Sequence, residues 1–138
     1  MAVTKVLARD WTVTVGGTAI GGINSITFSS SKTNAETTDF ASSGWAEHIV
    51  AERTRSMSCE GFFMEDEDTG DRNAGQSAIE ALAELFSADS LGTFVLTSPG
   101  GTTYTFSASV ELADIGGGNN DPTSWGFTAE VSGSVVTA

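Results

Sequence analysis

Five carboxylates fall within seven residues, Glu65-Asp66-Glu67-Asp68-Thr69-Gly70-Asp71, the densest gathering in the chain of side chains suited to chemistry. Asp66, Asp68 and Asp71 could offer oxygens to a hard cation such as calcium. The EF-hand pattern fails, because Gly70 stands where a ligand belongs and Ser77 where the bidentate Glu belongs. The simpler reading is a solvated loop that places negative charge ahead of a helix, worth roughly 0.3–1 kcal/mol per charge through the helix dipole.

Other chemistries find less. His48 is the single histidine, and a Ser-His-Asp triad would have to use it. No serine sits in a Gly-x-Ser-x-Gly elbow; Gly75-Gln76-Ser77-Ala78-Ile79 lacks the last glycine and lies at a helix start. One histidine and one cysteine cannot build a structural zinc site. Gly116-Gly117-Gly118 precedes a strand, with no following helix or lysine to cradle a phosphate. Cys59 falls on the apolar parity of its strand and reads as a small buried hydrophobe, and a lone cysteine excludes an internal disulfide. The expectation is a protein that is not an enzyme and needs neither cofactor nor metal.

The elements that would carry these residues are mostly strands. Thr54–Phe63 sets Met57, Cys59 and Phe63 against Thr54, Ser56, Ser58 and Glu60. Thr102–Leu112 sets Tyr104, Phe106, Ala108, Val110 and Leu112 against Thr103, Thr105, Ser107, Ser109 and Glu111. Trp125–Val135 repeats the alternation, with Thr128, Glu130, Ser132 and Ser134 on the polar parity. Period two marks sheets with one face on a core and one in water. The wet face holds short hydroxyls and a lone glutamate per strand, with no lysine or arginine. Trp11–Val15, a short Thr18–Ile20 partner across Gly16-Gly17, Ile23–Lys32 and Phe94–Leu96 complete the strands.

Ser98-Pro99-Gly100-Gly101 suits a type II turn. A single helix is predicted over about Ala74–Ala88, with Asn73 as N-cap and Gln76 at the reciprocal capping-box position. Ile79, Leu82, Ala83, Leu85 and Phe86 fall on one face of it. Thr33–Ile49 breaks the period and reads as a long loop holding Phe40 and Trp45. The expected fold is mainly β: an antiparallel β-sandwich or open barrel with one packed α-helix and a long loop after the second strand, a single domain over 1–138.

Composition narrows the partners. Formal charge is −12, and all six basic residues, Lys5, Arg9, Lys32, Arg53, Arg55 and Arg72, precede Asn73. Stable nucleic-acid binding needs Lys and Arg on phosphate, so it is not expected. No apolar run approaches the roughly 20 residues that cross a bilayer. Met1–Asp10 lacks a secretory apolar core, so folding in a cytoplasm without membrane anchoring is expected. Arg53 and Arg55 allow two readings: a strand end emerging into solvent, or an intersubunit pair for which the Glu65–Asp71 loop would be a natural partner. Trp45 either folds back on its own core or inserts into another molecule.

Taken in order, these segments resemble the major tail tube proteins of long-tailed bacteriophages and gene-transfer-agent tails. The resemblance covers most of the chain. It is carried by Ile23-Asn24-Ser25-Ile26-Thr27-Phe28-Ser29, Thr37-Thr38-Asp39 and Ser43-Gly44-Trp45-Ala46-Glu47. Ser56-Met57-Ser58-Cys59-Glu60-Gly61-Phe62-Phe63, a helix containing Ala81-Leu82, and Ser124-Trp125-Gly126-Phe127-Thr128-Ala129-Glu130-Val131 continue it. It implies a homo-oligomer of stacked hexameric rings in a virion tail, assembled in the host cytoplasm, with tape-measure and tail-end proteins as partners. DNA would transit the lumen without specific binding. It also implies that the loop after the second strand reaches a neighbour, with Phe40 and Trp45 as its anchors; on their intersubunit reading Arg53 and Arg55 join them as candidate interface residues. On that logic Ser56, Ser58, Glu60, Thr128, Glu130 and Ser132 face the lumen, with Ser109 and Glu111 behind them. Alternatives are the tube of a contractile tail or secretion system, which shares the fold, and a small β-sandwich calcium-binding or interaction module.

Overall fold

The computed structural model describes residues 4–7, 10–37 and 44–138. Its strands are β1 (Thr12–Val15), β2 (Thr18–Ala19), β3 (Ile23–Glu36), β4 (His48–Phe62), β5 (Gly92–Thr97), β6 (Thr103–Leu112) and β7 (Ser124–Thr137). One α-helix, α1 (Ala74–Ala83), lies between β4 and β5. All seven strands join a single antiparallel sheet in the order β2-β1-β5-β6-β7-β4-β3.

The predicted parities hold in β4, β6 and β7. Met57, Cys59, Phe106, Ala108, Trp125, Phe127 and Ala129 are buried, together with Val13, Val15, Phe94 and Leu96 of β1 and β5. The sheet curls over this face. Phe28 on edge strand β3 reaches β6, three places away in the sheet, with ring centroids 5.3 Å from Phe106 and 5.8 Å from Tyr104. The aromatic contacts run on through Phe94 and Phe127 to Trp125. Each such pair adds about 0.5–1.5 kcal/mol beyond its buried area. This chain of rings fills the open barrel.

Turn chemistry explains several ends. Gly16 (φ 57°) and Gly17 (φ 86°) both take the left-handed region that a two-residue hairpin between Val15 and Thr18 requires. The β5–β6 turn differs from the expected type II. Gly101, not Gly100, carries the positive φ (98°), and the Gly101 N–H donates to the Ser98 carbonyl. That is a type I turn followed by a left-handed glycine.

Two predicted boundaries shift. The segment Thr33–Ile49 is not all loop, because Thr33–Glu36 pairs with residues of His48–Glu52, so β3 and β4 form one long hairpin. From Ser29 to Glu36 and from His48 to Thr54 both faces of this ribbon are exposed. With no buried side it shows no hydrophobic period. The helix stops at Ala83 rather than Ala88. The N–H groups of Glu84 and Leu85 bond three residues back instead of four, and Ser87 turns left-handed at φ 55° into a 3₁₀ turn over Ser87–Ser90. Leu85 and Phe86, assigned to the core face by spacing, therefore lie exposed.

Helix α1 lies on the apolar side of the sheet against β6, β2 and β1, with Ile79 fully buried. Asn73 caps it as expected, its Oδ1 accepting from the Gln76 N–H and the Gly21 N–H, each at 3.1 Å. The reciprocal half of the capping box does not form. The Gln76 side chain turns away, its Nε2 donating to the carbonyls of Gly21 (3.0 Å) and Phe62 (2.7 Å) while its Oε1 accepts from the Met64 N–H (3.1 Å). Gln76 is the one fully buried polar side chain among the described residues, and it joins the helix to the β2–β3 turn and the end of β4. The junction is tight enough that a Cβ at Gly75 would collide with the Ala19 carbonyl.

Candidate functional site

The acidic run folds as a tight hairpin. The backbones of Glu65 and Arg72 pair as an antiparallel β-bridge, and the Asp66 N–H donates to the Asp71 carbonyl at 2.7 Å. Asp66 Oδ1 accepts from the N–H groups of Asp68 (2.9 Å) and Thr69 (3.4 Å), so that carboxylate is committed to the turn. Among the described residues no group of three or more His, Cys, Asp or Glu side chains is arranged to hold a metal ion. Arg72 turns away from the hairpin: its Nη1 donates to Glu80 Oε2 at 2.8 Å and its guanidinium lies over the Phe63 ring at 4.0 Å. All five of these acidic residues are exposed.

His48 and Cys59 occupy opposite halves of β4. Burial pushes the Cys59 thiol from 9.0 up to about 12, which holds it as the neutral thiol. No helix among the described residues is long and apolar enough to cross a membrane.

The hydroxyl parities converge on one surface. Because the strands share one sheet, Thr27, Ser58, Thr128 and Glu111 form a row across β3, β4, β7 and β6, and Ser29, Ser56, Glu130 and Ser109 form the next. Glu60 stands opposite Ser25, and Ser132 opposite Ser107. Ser58 Oγ and Thr128 Oγ1 lie 3.5 Å apart. Ser56, Ser58, Glu60, Thr128, Glu130, Ser132, Ser109 and Glu111 are therefore brought onto one face of the sheet, whose rows carry three glutamates and no basic residue.

The four residues singled out for contact with neighbours behave differently. Phe40 lies outside the described residues. Trp45, just beyond the paired strands of the β3–β4 ribbon, is 78% exposed and does not fold back on the core. Arg53 is exposed, directly opposite Lys32. Arg55 is half-buried, its guanidinium 4.1 Å above the Phe28 ring, in an open cleft of about 340 Å³ that Trp11, Ile26, Phe28, Leu96 and Tyr104 also line. The Arg55 Nε is buried and has no hydrogen-bond partner. Sequence reasoning missed the opposition of Lys32 and Arg53, which depends on the register of strands without an apolar period.

No protein-family model and no curated protein sequence matches the chain. Solved structures do. The tail of the empty gene transfer agent particle, refined with C6 symmetry, superposes with a TM-score of 0.77 over 97% of this chain and 99% of that one, at 16% identity. The SPP1 tail tube superposes at 0.65 over 96% of this chain and 78% of that one, at 14% identity. A chain of the PVC sheath–tube complex, an extracellular contractile injection system, superposes at 0.65 over 97% and 91%, at 12% identity. The fold is one that these tail and tube assemblies contain.

Proposed function

We propose that this chain is a structural, non-catalytic subunit of a virion tail tube, assembling into stacked hexameric rings. The observation that carries the reading is the near-full-length superposition on the gene transfer agent tail, an assembly with C6 symmetry. The surface chemistry supports it independently. A passage for DNA must offer phosphate few charge-assisted donors, or the polymer would bind instead of sliding. The shared face of β3, β4, β7 and β6 meets that requirement, and Ser56, Ser58, Glu60, Thr128, Glu130 and Ser132 line the lumen in this reading, with Ser109 and Glu111 beside them. Phe40, Trp45, Arg53 and Arg55 contact a neighbouring subunit in this reading, and the exposed tryptophan just beyond the paired strands of the β3–β4 ribbon suits that role. A tape-measure protein and tail-end proteins complete the assembly.

The likeness to the PVC sheath–tube complex favours a second reading, the inner tube of a contractile system. Negative-stain microscopy of the purified protein tests both. Six-fold rings or tubes of uniform bore are expected. A chain that stays strictly monomeric at high concentration, with and without nucleating partners, overturns the assembly.

A further inference from the structure

The side of the ribbon that continues the apolar core face turns cationic where the core ends. Beyond the Phe28–Met57 pair, Ser30 faces Arg55 and then Lys32 faces Arg53, all on that one side. Three of the six basic residues of the chain lie within these two successive pairs. Arg55 is occupied with Phe28, whereas Lys32 and Arg53 are exposed and take part in no ion pair among the described residues. Like charges directly opposite each other weaken a strand pair, so the arrangement calls for an external counter-charge. Glu52 does not supply it, since it pairs with Thr33 on the other side, and Glu36 and His48 lie farther out toward the tip.

The densest counter-charge is the Glu65–Asp71 hairpin, and its position excludes an internal contact. Arg53 lies in the outer half of β4, whereas the hairpin begins just past the inner end of β4 at Phe62. Nine residues of β4 separate Arg53 from Phe62, about 30 Å at roughly 3.3 Å per residue. Opposite charges at the two ends of one strand cannot meet within a copy, but they meet when copies are placed head to tail. The apolar surroundings match as well. Val50 and Trp45 are exposed beyond the cations, and Phe62 and Met64 are exposed at the root of the hairpin.

We propose that Lys32 and Arg53 of one copy dock on the Glu65–Asp71 hairpin of the next, and that this head-to-tail contact stacks the subunits. The proposal rests on the tube reading and names the partner surface of the ribbon. A charge-swap experiment tests it. The pair Lys32→Glu/Arg53→Glu and the triple Glu65→Lys/Glu67→Lys/Asp68→Lys, which reverses the sign of the hairpin at side chains that make none of its turn hydrogen bonds, should each raise the critical concentration for tube formation about tenfold or more. Both should keep the melting temperature of the unassembled subunit. An equimolar mixture of the two variants should restore tubes, because each then offers the other the complementary end. The neutral pair Lys32→Gln/Arg53→Gln, which introduces no repulsion, should lose most of the salt dependence of assembly. Wild-type tubes with a folded variant that assembles unchanged, or a mixture that fails to restore tubes, overturn this contact and leave the tube reading intact. A wild-type protein that never forms tubes overturns both.

Discussion

Replacing Gln76 with leucine separates a buried hydrogen-bonding staple from simple space filling. The side chain is fully buried, and leucine keeps most of its volume while removing three hydrogen bonds, to the Gly21 and Phe62 carbonyls and from the Met64 N–H. Leaving a buried partner unpaired costs about 1–3 kcal/mol, and three such groups set the scale. Met64 is 44% exposed, so water can reach part of the site, and the lower half of the range applies. The expected loss is about 3–5 kcal/mol, a large share of the roughly 5–15 kcal/mol that holds a domain folded. At about 2.1 cal/mol/K of unfolding entropy per residue, a chain of 138 residues melts roughly 10–17 °C lower. Gln76→Glu adds a test of sign. Its carboxyl faces two carbonyl oxygens in a buried site, which raises its folded pKa above the ordinary value of about 4.3. Stability relative to Gln76→Leu should therefore fall as pH rises from about 4 toward neutrality, where the unfolded chain ionises and the folded site resists. Urea titration of the unassembled subunit, followed by tryptophan fluorescence, reads both effects. A loss below about 1 kcal/mol for the leucine variant, with no pH dependence in the glutamate variant, would refute the staple.

Four further outcomes are expected. Gly22→Ala should cost about 2 kcal/mol or more by thermal melting, because the position has φ +77° and the new Cβ would lie 2.5 Å from the Phe62 carbonyl and 2.9 Å from Gln76 Nε2. Cys59 should resist a thiol reagent at pH 8 until the chain is unfolded. Its folded pKa is raised, so between pH 9 and about 12 the unfolded state loses the proton first and stability declines, by up to about 1.4 kcal/mol per pH unit, a slope that Cys59→Ala removes. Trp45→Ala should leave subunit stability within about 0.5 kcal/mol of wild type, since the ring is exposed, yet weaken tube assembly measured by sedimentation. Tubes carrying Glu130→Lys should retain DNA in a strongly salt-dependent way while wild-type tubes do not, and equal retention places Glu130 away from the passage.

The parts of the fold that bury one face were legible. Period two located β4, β6 and β7 because Met57, Phe106 and Trp125 alternate with hydroxyls, and the Gly16-Gly17 hairpin needed only local backbone preference. Features decided by distant partners were hidden. Gln76 has the spacing of a capping box, but the stronger claim on its amide comes from Gly21 and Phe62, which lie 55 and 14 residues away. Leu85 and Phe86 continue the helical period past Ala83, and nothing in their types announces the left-handed Ser87. The outer ribbon escaped detection for a related reason: Thr33–Glu36 pairs without burying anything. At the surfaces the residue types were visible, whereas their convergence on one face, and the meeting of Lys32 with Arg53, required the strand register.

The opposed charges at the two ends of β4 also bear on how such an assembly would begin and stop. A stack held by them is vectorial, with one terminus presenting cations and the other presenting carboxylates. Monomers then add to two chemically unlike ends at different rates, and an initiator and a terminator need share no surface feature. A basic protein could block one end while an acidic one seeds the other. Growth would stop at whichever end is occupied, with no change in the repeating subunit.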